Sequence, residues 1–154
     1  MSTKRHVLVC VTAQQSCKQL IEAGRLIADE ENTTLGIISV YPSKQCFHPD
    51  IETLTSLNEC SLRFGAEMTV YFSDNPIEKI AETVSKKEEC ILVTGFPGKN
   101  GTNFIESIHR RIPNAPICMV DGDGTIYRID RKVKDGHTSY SVAEKADTII
   151  CFNK

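Results

Sequence analysis

Short β-branched runs alternate with amphipathic helical patterns along residues 6–120, and that alternation leaves few architectures open. The first run, His6-Val7-Leu8-Val9-Cys10-Val11-Thr12, is nearly continuous in apolar residues, as a strand covered on both faces requires. A helix follows, with Ser16 and Gln19 as a capping box and Leu20, Ala23, Gly24 and Ile27 on one stripe. The second strand is Leu35–Tyr41, closed by Pro42. Asp50 then caps a helix with Ile51, Leu54 and Leu57 as its stripe, and Gly65 suits the left-handed position past its end. Glu67–Phe72 is the third strand. Asn75, Pro76 and Glu78 make a strong helix start, with Ile77, Ile80, Ala81 and Val84 expected to be buried.

Cys90–Thr94 is the fourth strand. Asn103 with Glu106 caps a fourth helix carrying Phe104, Ile105, Ile108 and Ile112, and Ile117–Val120 is the fifth strand. The order β-α-β-α-β-α-β-α-β predicts an α/β fold: a five-stranded parallel sheet with right-handed crossovers and helices on both faces. The rhythm stops after Asp121, so residues 1–121 read as the α/β domain and residues 122–154 as a C-terminal extension. In that extension Thr125–Asp130 alternates with period two, Asp135-Gly136 is a hairpin turn signal, and Thr138–Val142 can return; Thr148–Phe152 is a further strand-like run. This predicts an antiparallel β appendage, on the sheet edge or crossing to a partner chain.

Composition excludes several classes. The chain carries 18 Lys plus Arg against 20 Asp plus Glu, a balance without the basic excess that a nucleic-acid binder needs to neutralise phosphates. No apolar run approaches the roughly 20 residues that span a bilayer, so no membrane partner is expected. The N-terminus leads directly into a strand-like run, leaving no room for a signal peptide. The 7 cysteines are odd in number and form no Cys-x-x-Cys pair, which suits reduced thiols and a cytoplasmic setting. Cys46-Phe47-His48 lacks the further ligands of a zinc site, and no metal is expected.

Ligands of open parallel sheets bind at the C-terminal ends of the strands, where strand order reverses. The loop after the first strand, Thr12-Ala13-Gln14-Gln15-Ser16, has no glycine, which excludes a dinucleotide fingerprint. It also has no acid, which excludes a receiver-type phosphoacceptor and makes Asp74 part of a helix start. The loop Gly95-Phe96-Pro97-Gly98-Lys99-Asn100-Gly101 is the most informative stretch. Its glycines precede a helix N-terminus and offer backbone N–H groups and a positive dipole end to an anion. They equally serve the turns of a loop around Pro97. The candidate binding residues are Thr12, Ala13, Val40, Gly95, Gly98, Gly101 and Thr102, acting by backbone approach and helix dipole.

These segments resemble the universal stress protein family over Arg5 to Asp121. The likeness is nearest to the universal-stress-type domain of KdpD potassium-sensor histidine kinases. It is carried by the opening strand, Tyr41-Pro42, Phe64-Gly65-Ala66-Glu67, Ser73-Asp74 and Ile112-Pro113-Asn114-Ala115-Pro116. The resemblance implies a cytoplasmic homodimer in stress response or signalling, with a protein partner and, in some members, bound ATP, AMP or a cyclic dinucleotide. Nucleotide-binding members carry Gly-x2-Gly-x9-Gly-(Ser/Thr) after the fourth strand. Gly95 and Gly98 match its start. Further on the pattern departs: Ile108 stands where the next glycine is due, with nine residues between it and Gly98, and Glu106 precedes Ser107, where a carboxylate opposes a triphosphate.

Other constellations read as structural. His6, His48, His109 and His137 are not placed to activate Thr12 or Ser16, so no catalytic residue is assigned. His109-Arg110-Arg111 reads as a solvated face near a helix C-terminus. Asp121-Gly122-Asp123-Gly124 reads as a turn, because Ile126 and Lys132 stand where a calcium loop needs Gly and Glu. Arg128, Arg131, Lys132 and Lys134 read as charges guarding an exposed strand. The expected function is that of a non-catalytic universal-stress-type signalling or adaptor protein that binds a small anionic ligand. A structural dimerisation protein using strand five and the β tail is the alternative, and a weak ATPase the third.

Overall fold

The computed structural model describes residues 5–11, 17–41, 51–86, 89–95 and 102–144. The chain order is β1 (Arg5–Cys10), α1 (Lys18–Glu30), β2 (Leu35–Tyr41), α2 (Ile51–Arg63), β3 (Glu67–Phe72), α3 (Pro76–Ser85), β4 (Glu89–Gly95), α4 (Thr102–Arg111), β5 (Ile117–Val120), β6 (Ile126–Lys134) and β7 (His137–Glu144). One sheet holds all these strands in the order β3-β2-β1-β4-β5-β6-β7. Pairing is parallel from β3 through β5 and antiparallel from β5 through β7. The expected parallel α/β sheet with an antiparallel appendage is therefore present. Its appendage lies on the sheet edge of its own chain, so both sides of β5 are occupied, by β4 and β6.

Two cores sandwich the sheet. One joins Val7, Val9, Ile37, Ile91 and Val93 to Leu20, Ile21 and Ile27 of α1 and Leu57 and Cys60 of α2. The other joins Leu8, Ile38, Leu92, Ile117 and Met119 to Ile80 and Val84 of α3 and Ile105 and Ile108 of α4. Successive residues of β4 thus serve opposite cores, which is why its sequence is an unbroken apolar run rather than an alternation. At the edge, β3 alternates between exposed and half-buried positions, as a strand with one side open should.

Helix ends follow local rules. The Asn75 side chain accepts a hydrogen bond from the Glu78 amide at 3.3 Å, with Pro76 in the first turn, as the sequence predicts. Gly65 has φ +71°, and the amides of Gly65 and Ala66 donate to the carbonyls of Leu62 and Ser61, a complete Schellman ending. Asn32 (φ +52°) closes α1 in the same way, with bonds from Asn32 to Asp29 and from Thr33 to Ala28. Arg25 of α1 joins the two endings, since its guanidinium donates to the Phe64 carbonyl at 2.8 Å and holds Asp29. At the hairpin, Asp135 (φ +53°) and Gly136 (φ +77°) both take positive φ, the signature of a type I′ turn.

Four local expectations are corrected. The N-cap position of α1 falls to Cys17 rather than Ser16; Ser16 itself and Asp50, the expected cap of α2, lie outside the described residues. The inward face of α2 is Thr53, Leu57, Cys60 and Ser61, while Ile51 is 68% exposed, so the helix is rotated from its apolar stripe. Ser61 tolerates this burial because its hydroxyl donates to the Leu57 carbonyl at 2.8 Å. Helix α4 begins at Thr102, which places Asn103 inside the first turn instead of at the cap. Finally, His109 is buried, only 5% exposed, rather than part of a solvated face.

Gly24 marks the closest approach of α1 to the sheet. A Cβ there would lie 2.4 Å from Val9 Cγ2 and 2.9 Å from Leu35 Cδ1. Alanine would gain about 1 kcal/mol of helix propensity, but overpacking typically costs about 1–3 kcal/mol. Val9 is a β-branched side chain in a closed core, with little room to yield. Gly24→Ala should therefore lower stability in urea-unfolding measurements. A gain equal to the propensity term would show that β1 and α1 can separate.

Candidate functional site

The strand order reverses between β1 and β4, which are adjacent although α1, β2, α2, β3 and α3 separate them in sequence. Chains leaving the two tips turn to opposite faces, α1 to one core and α4 to the other. The crevice expected at such a switch point would lie between the β1 tip at Cys10 and Val11 and the β4 tip at Thr94 and Gly95. The N-termini of α1 and α4, with their positive dipole ends, are at that end of the sheet, on opposite faces.

Hydrogen bonds keep the tips level. The Val11 amide donates to the Ile38 carbonyl at 2.9 Å, and the buried Ser39 hydroxyl donates to the Val11 carbonyl at 2.8 Å. The Ser73 amide likewise donates to the Tyr41 carbonyl at 2.7 Å. A serine inside the apolar run Leu35–Tyr41 was the available signal for such a bond, because a buried hydroxyl needs a partner.

Of the candidate residues, Gly95 ends β4 at the crevice and Thr102 opens α4 beside it. Val40 sits near the end of β2, half-buried against the α3–α4 core, one strand away from the crevice. Thr12, Ala13, Gly98 and Gly101 lie outside the described residues. A Cβ on Gly95 would meet Leu20 at an ordinary 3.7 Å, so this glycine answers no steric demand from the core.

The chemistry of the rim is that of binding. Burial pushes the Cys10 thiol far up, and Cys90 adds to the effect, so Cys10 stays a neutral thiol rather than a nucleophile. Glu106 is held by Arg110 at 3.2 Å one turn along α4, which offsets its charge beside the helix start. His6, at the start of β1, shares a 2.9 Å hydrogen bond with Thr34 at the far end of the sheet. His109 is in the last turn of α4 and His137 starts β7, both also at that far end. A hollow of about 480 Å³ lies there too, lined by Val84, Cys90, Arg111, Pro113 and Pro116. It faces the C-terminal ends of α3 and α4, whose carbonyl dipoles disfavour anions.

The turn after β5 is a network that sequence reading did not anticipate. Asp121 Oδ1 accepts from the amides of Asp123 (3.0 Å) and Thr125 (3.1 Å), and Asp123 Oδ1 accepts from the Thr125 hydroxyl at 2.6 Å. The Tyr127 hydroxyl reaches Asp121 Oδ2 at 3.3 Å. Among the described residues no group of three acidic, cysteine or histidine side chains could hold a metal ion.

The strand order 3-2-1-4-5 with two helices on each face can now be compared with known proteins. No protein-family model matches the sequence, and no curated protein matches it. Solved structures do. A universal stress protein crystallised in complex with cAMP is similar at 20% identity and a TM-score of 0.57, over 79% of this chain and 99% of that one. The fold is that of the universal stress proteins. A second such protein, from Burkholderia pseudomallei, is similar at 15% identity and a TM-score of 0.52 over 78% of this chain. The universal stress protein UspA from Lactobacillus plantarum is similar at 11% identity and a TM-score of 0.53 over 79%. In each case almost the whole of the universal stress protein is accounted for, 98–99% of its chain.

The turn network has a measurable consequence. Hydrogen bonding with the Asp121 side chain first, and then with the hydroxyl and amide of Thr125, holds the Asp123 carboxyl down to about 2. A depressed carboxyl strengthens the folded turn above the ordinary carboxylate range, and the gain disappears as pH falls towards 2. A carboxyl-carbon NMR titration should give Asp123 a midpoint near 2, with the Thr125 amide shifting in the same window. An ordinary midpoint near ~4 would mean that the turn is open in solution.

Proposed function

We propose that this chain is a universal stress protein of the KdpD-related kind, a non-catalytic cytoplasmic signalling protein that binds an adenine nucleotide at the β1–β4 crevice. The reading rests first on the convergence of the α1 and α4 N-termini upon the tips of β1 and β4, a geometry suited to a phosphate. A second support is that one similar universal stress protein was crystallised in complex with cAMP. A mononucleotide or cyclic nucleotide suits the site better than a triphosphate, because Glu106 stands in the first turns of α4 where extra phosphates would extend. A non-catalytic role agrees with the placement of His6, His109 and His137 at the far end of the sheet and with the neutral Cys10 thiol. Binding would bias the surface that the chain offers to a protein partner.

Calorimetric titration with cAMP, AMP, ATP and a cyclic dinucleotide, followed by amide NMR mapping, tests the proposal. At least one adenine nucleotide should bind with a Kd tighter than about 1 mM, equivalent to roughly −4 kcal/mol. The amides of Val11, Gly95 and Thr102 should shift most. Absence of heat for every nucleotide, or shifts confined to the hollow at Arg111, would overturn it.

A further inference from the structure

Sequence patterning allows the C-terminal extension either to lie on its own sheet or to cross to a partner chain. In the structure β6 runs beside β5 in antiparallel register, pairing Cys118↔Arg128, Met119↔Tyr127 and Val120↔Ile126. The basic residues Arg128, Arg131, Lys132 and Lys134 lie on β6, between β5 and β7, and do not guard an edge as the sequence reading expected. Ile126, 1% exposed, enters the core that α1 and α2 cover, and Ile129, 6% exposed, enters the core that α3 and α4 cover. A strand anchored in both cores is held by more than its ladder.

Between β5 and β6 the chain reverses within three residues, Gly122-Asp123-Gly124. Gly124 has φ +89°, its amide donates to the Asp121 carbonyl at 3.1 Å, and the Asp121 amide donates to the Thr125 carbonyl at 3.0 Å. This is the turn-plus-bulge form that three-residue hairpin loops favour. Side chains then close the loop a second time. Asp121 Oδ1 accepts from the amides of Asp123 and Thr125, and Asp121 Oδ2 accepts from the Tyr127 hydroxyl. Asp123 Oδ1 accepts from both the amide and the hydroxyl of Thr125. All of these bonds join residues within 121–127.

We infer that the turn from Asp121 to Tyr127 is a latch that holds β6 on β5 of its own chain and so withdraws β5 from pairing with any other strand. An exchange of β6 between two copies would reproduce the β5–β6 contacts in trans. It would also straighten the loop, and the turn bonds would be lost with no counterpart. A closure of three residues further sets β6 beside its own β5 at an effective concentration that a free chain does not match. Dimerisation through strand five, which the sequence leaves open, is thereby closed to the intact chain, and a partner must use another surface. The latch works through acceptor oxygens on backbone amides, so an amide side chain can stand in for Asp121 at Oδ1. The inference does not rest on the nucleotide reading of the switch point.

The ladder supplies the test. Hydrogen-bonded pairs alternate outward from Asp121–Thr125, which makes Cys118↔Arg128 a non-hydrogen-bonded pair. Its Cα atoms stand about 4.5 Å apart, within disulfide reach. The full chain carrying Arg128→Cys, refolded at high micromolar concentration and oxidised, should therefore link positions 118 and 128 within one chain. A non-reducing gel should show monomer mass, peptide mass spectrometry should show the 118–128 pair, and adding Cys118→Ala should abolish it. Asp121→Ala in the same background should raise the ratio of interchain to intrachain link about tenfold, the worth of roughly two net hydrogen bonds. Asp121→Asn should restore the original ratio. Deleting residues 122–124 forbids the reversal and should move the link to dimer mass. Tyr127→Phe, which loses one bond, should give a smaller rise and covers the case in which Asp121→Ala does not fold. A change in stability alone leaves the ratio where it was. An interchain 118–128 link with the turn intact, no 118–128 link at all, or a ratio unmoved by the folded turn variants would overturn the inference.

Discussion

Two-sided burial of β1 and β4 is the constraint on which the remainder depends. Val9, Leu92 and Val93 have no exposed surface, and Val7 is nearly as closed. Fully burying a side chain of this kind contributes about 1.5–3 kcal/mol. Strands without a polar face must carry helices above and below, and parallel neighbours must be joined by crossovers. Right-handed crossovers in a sheet ordered 3-2-1-4-5 send α1 and α4 to opposite faces. The switch point between Val11 and Gly95 is therefore a by-product of burying those strands.

The same economy appears at the polar positions. Ser39 and Ser61 are buried inside apolar surroundings, yet each hydroxyl bonds a backbone carbonyl, of Val11 and Leu57 respectively. The first ties β2 to the tip of β1, next to the proposed ligand; the second lets α2 turn a mixed face inward. The edges are handled differently. β3 lies under α2, whereas β6 sends Ile126 into one helix-packed core and Ile129 into the other. With β6 and β7 beside it, β5 is an interior strand of the sheet.

Much of the architecture was legible because local chemistry carries it. Asn75-Pro76-Glu78, Gly65 and Asp135-Gly136 each specify a backbone conformation whatever surrounds them, and all adopt it. The boundaries of β2 and β3 follow directly from apolar runs and their terminators. Errors arose where two local signals competed. Ile51 extends an apolar stripe by periodicity, but Cys60, Ser61 and Thr53 win the core because packing rewards fit and satisfied polar groups over hydropathy alone. His109 lies in a basic triplet, and no local signal distinguishes its inward position from the outward one of Arg110.

By itself, then, the sequence determined the succession of strands and helices, the hairpin, and the loops in which a ligand site could lie. Those properties depend on φ preferences, capping and periodicity, which act over a few residues. Tertiary structure alone decided that β1 and β4 are neighbours, that Gly95 ends β4 beside the β1 tip while Val40 stands a strand away, and that the basic strand β6 is interior. Strand order rests on contacts between residues far apart in the chain, and the free energy that selects it is that of closing two cores at once.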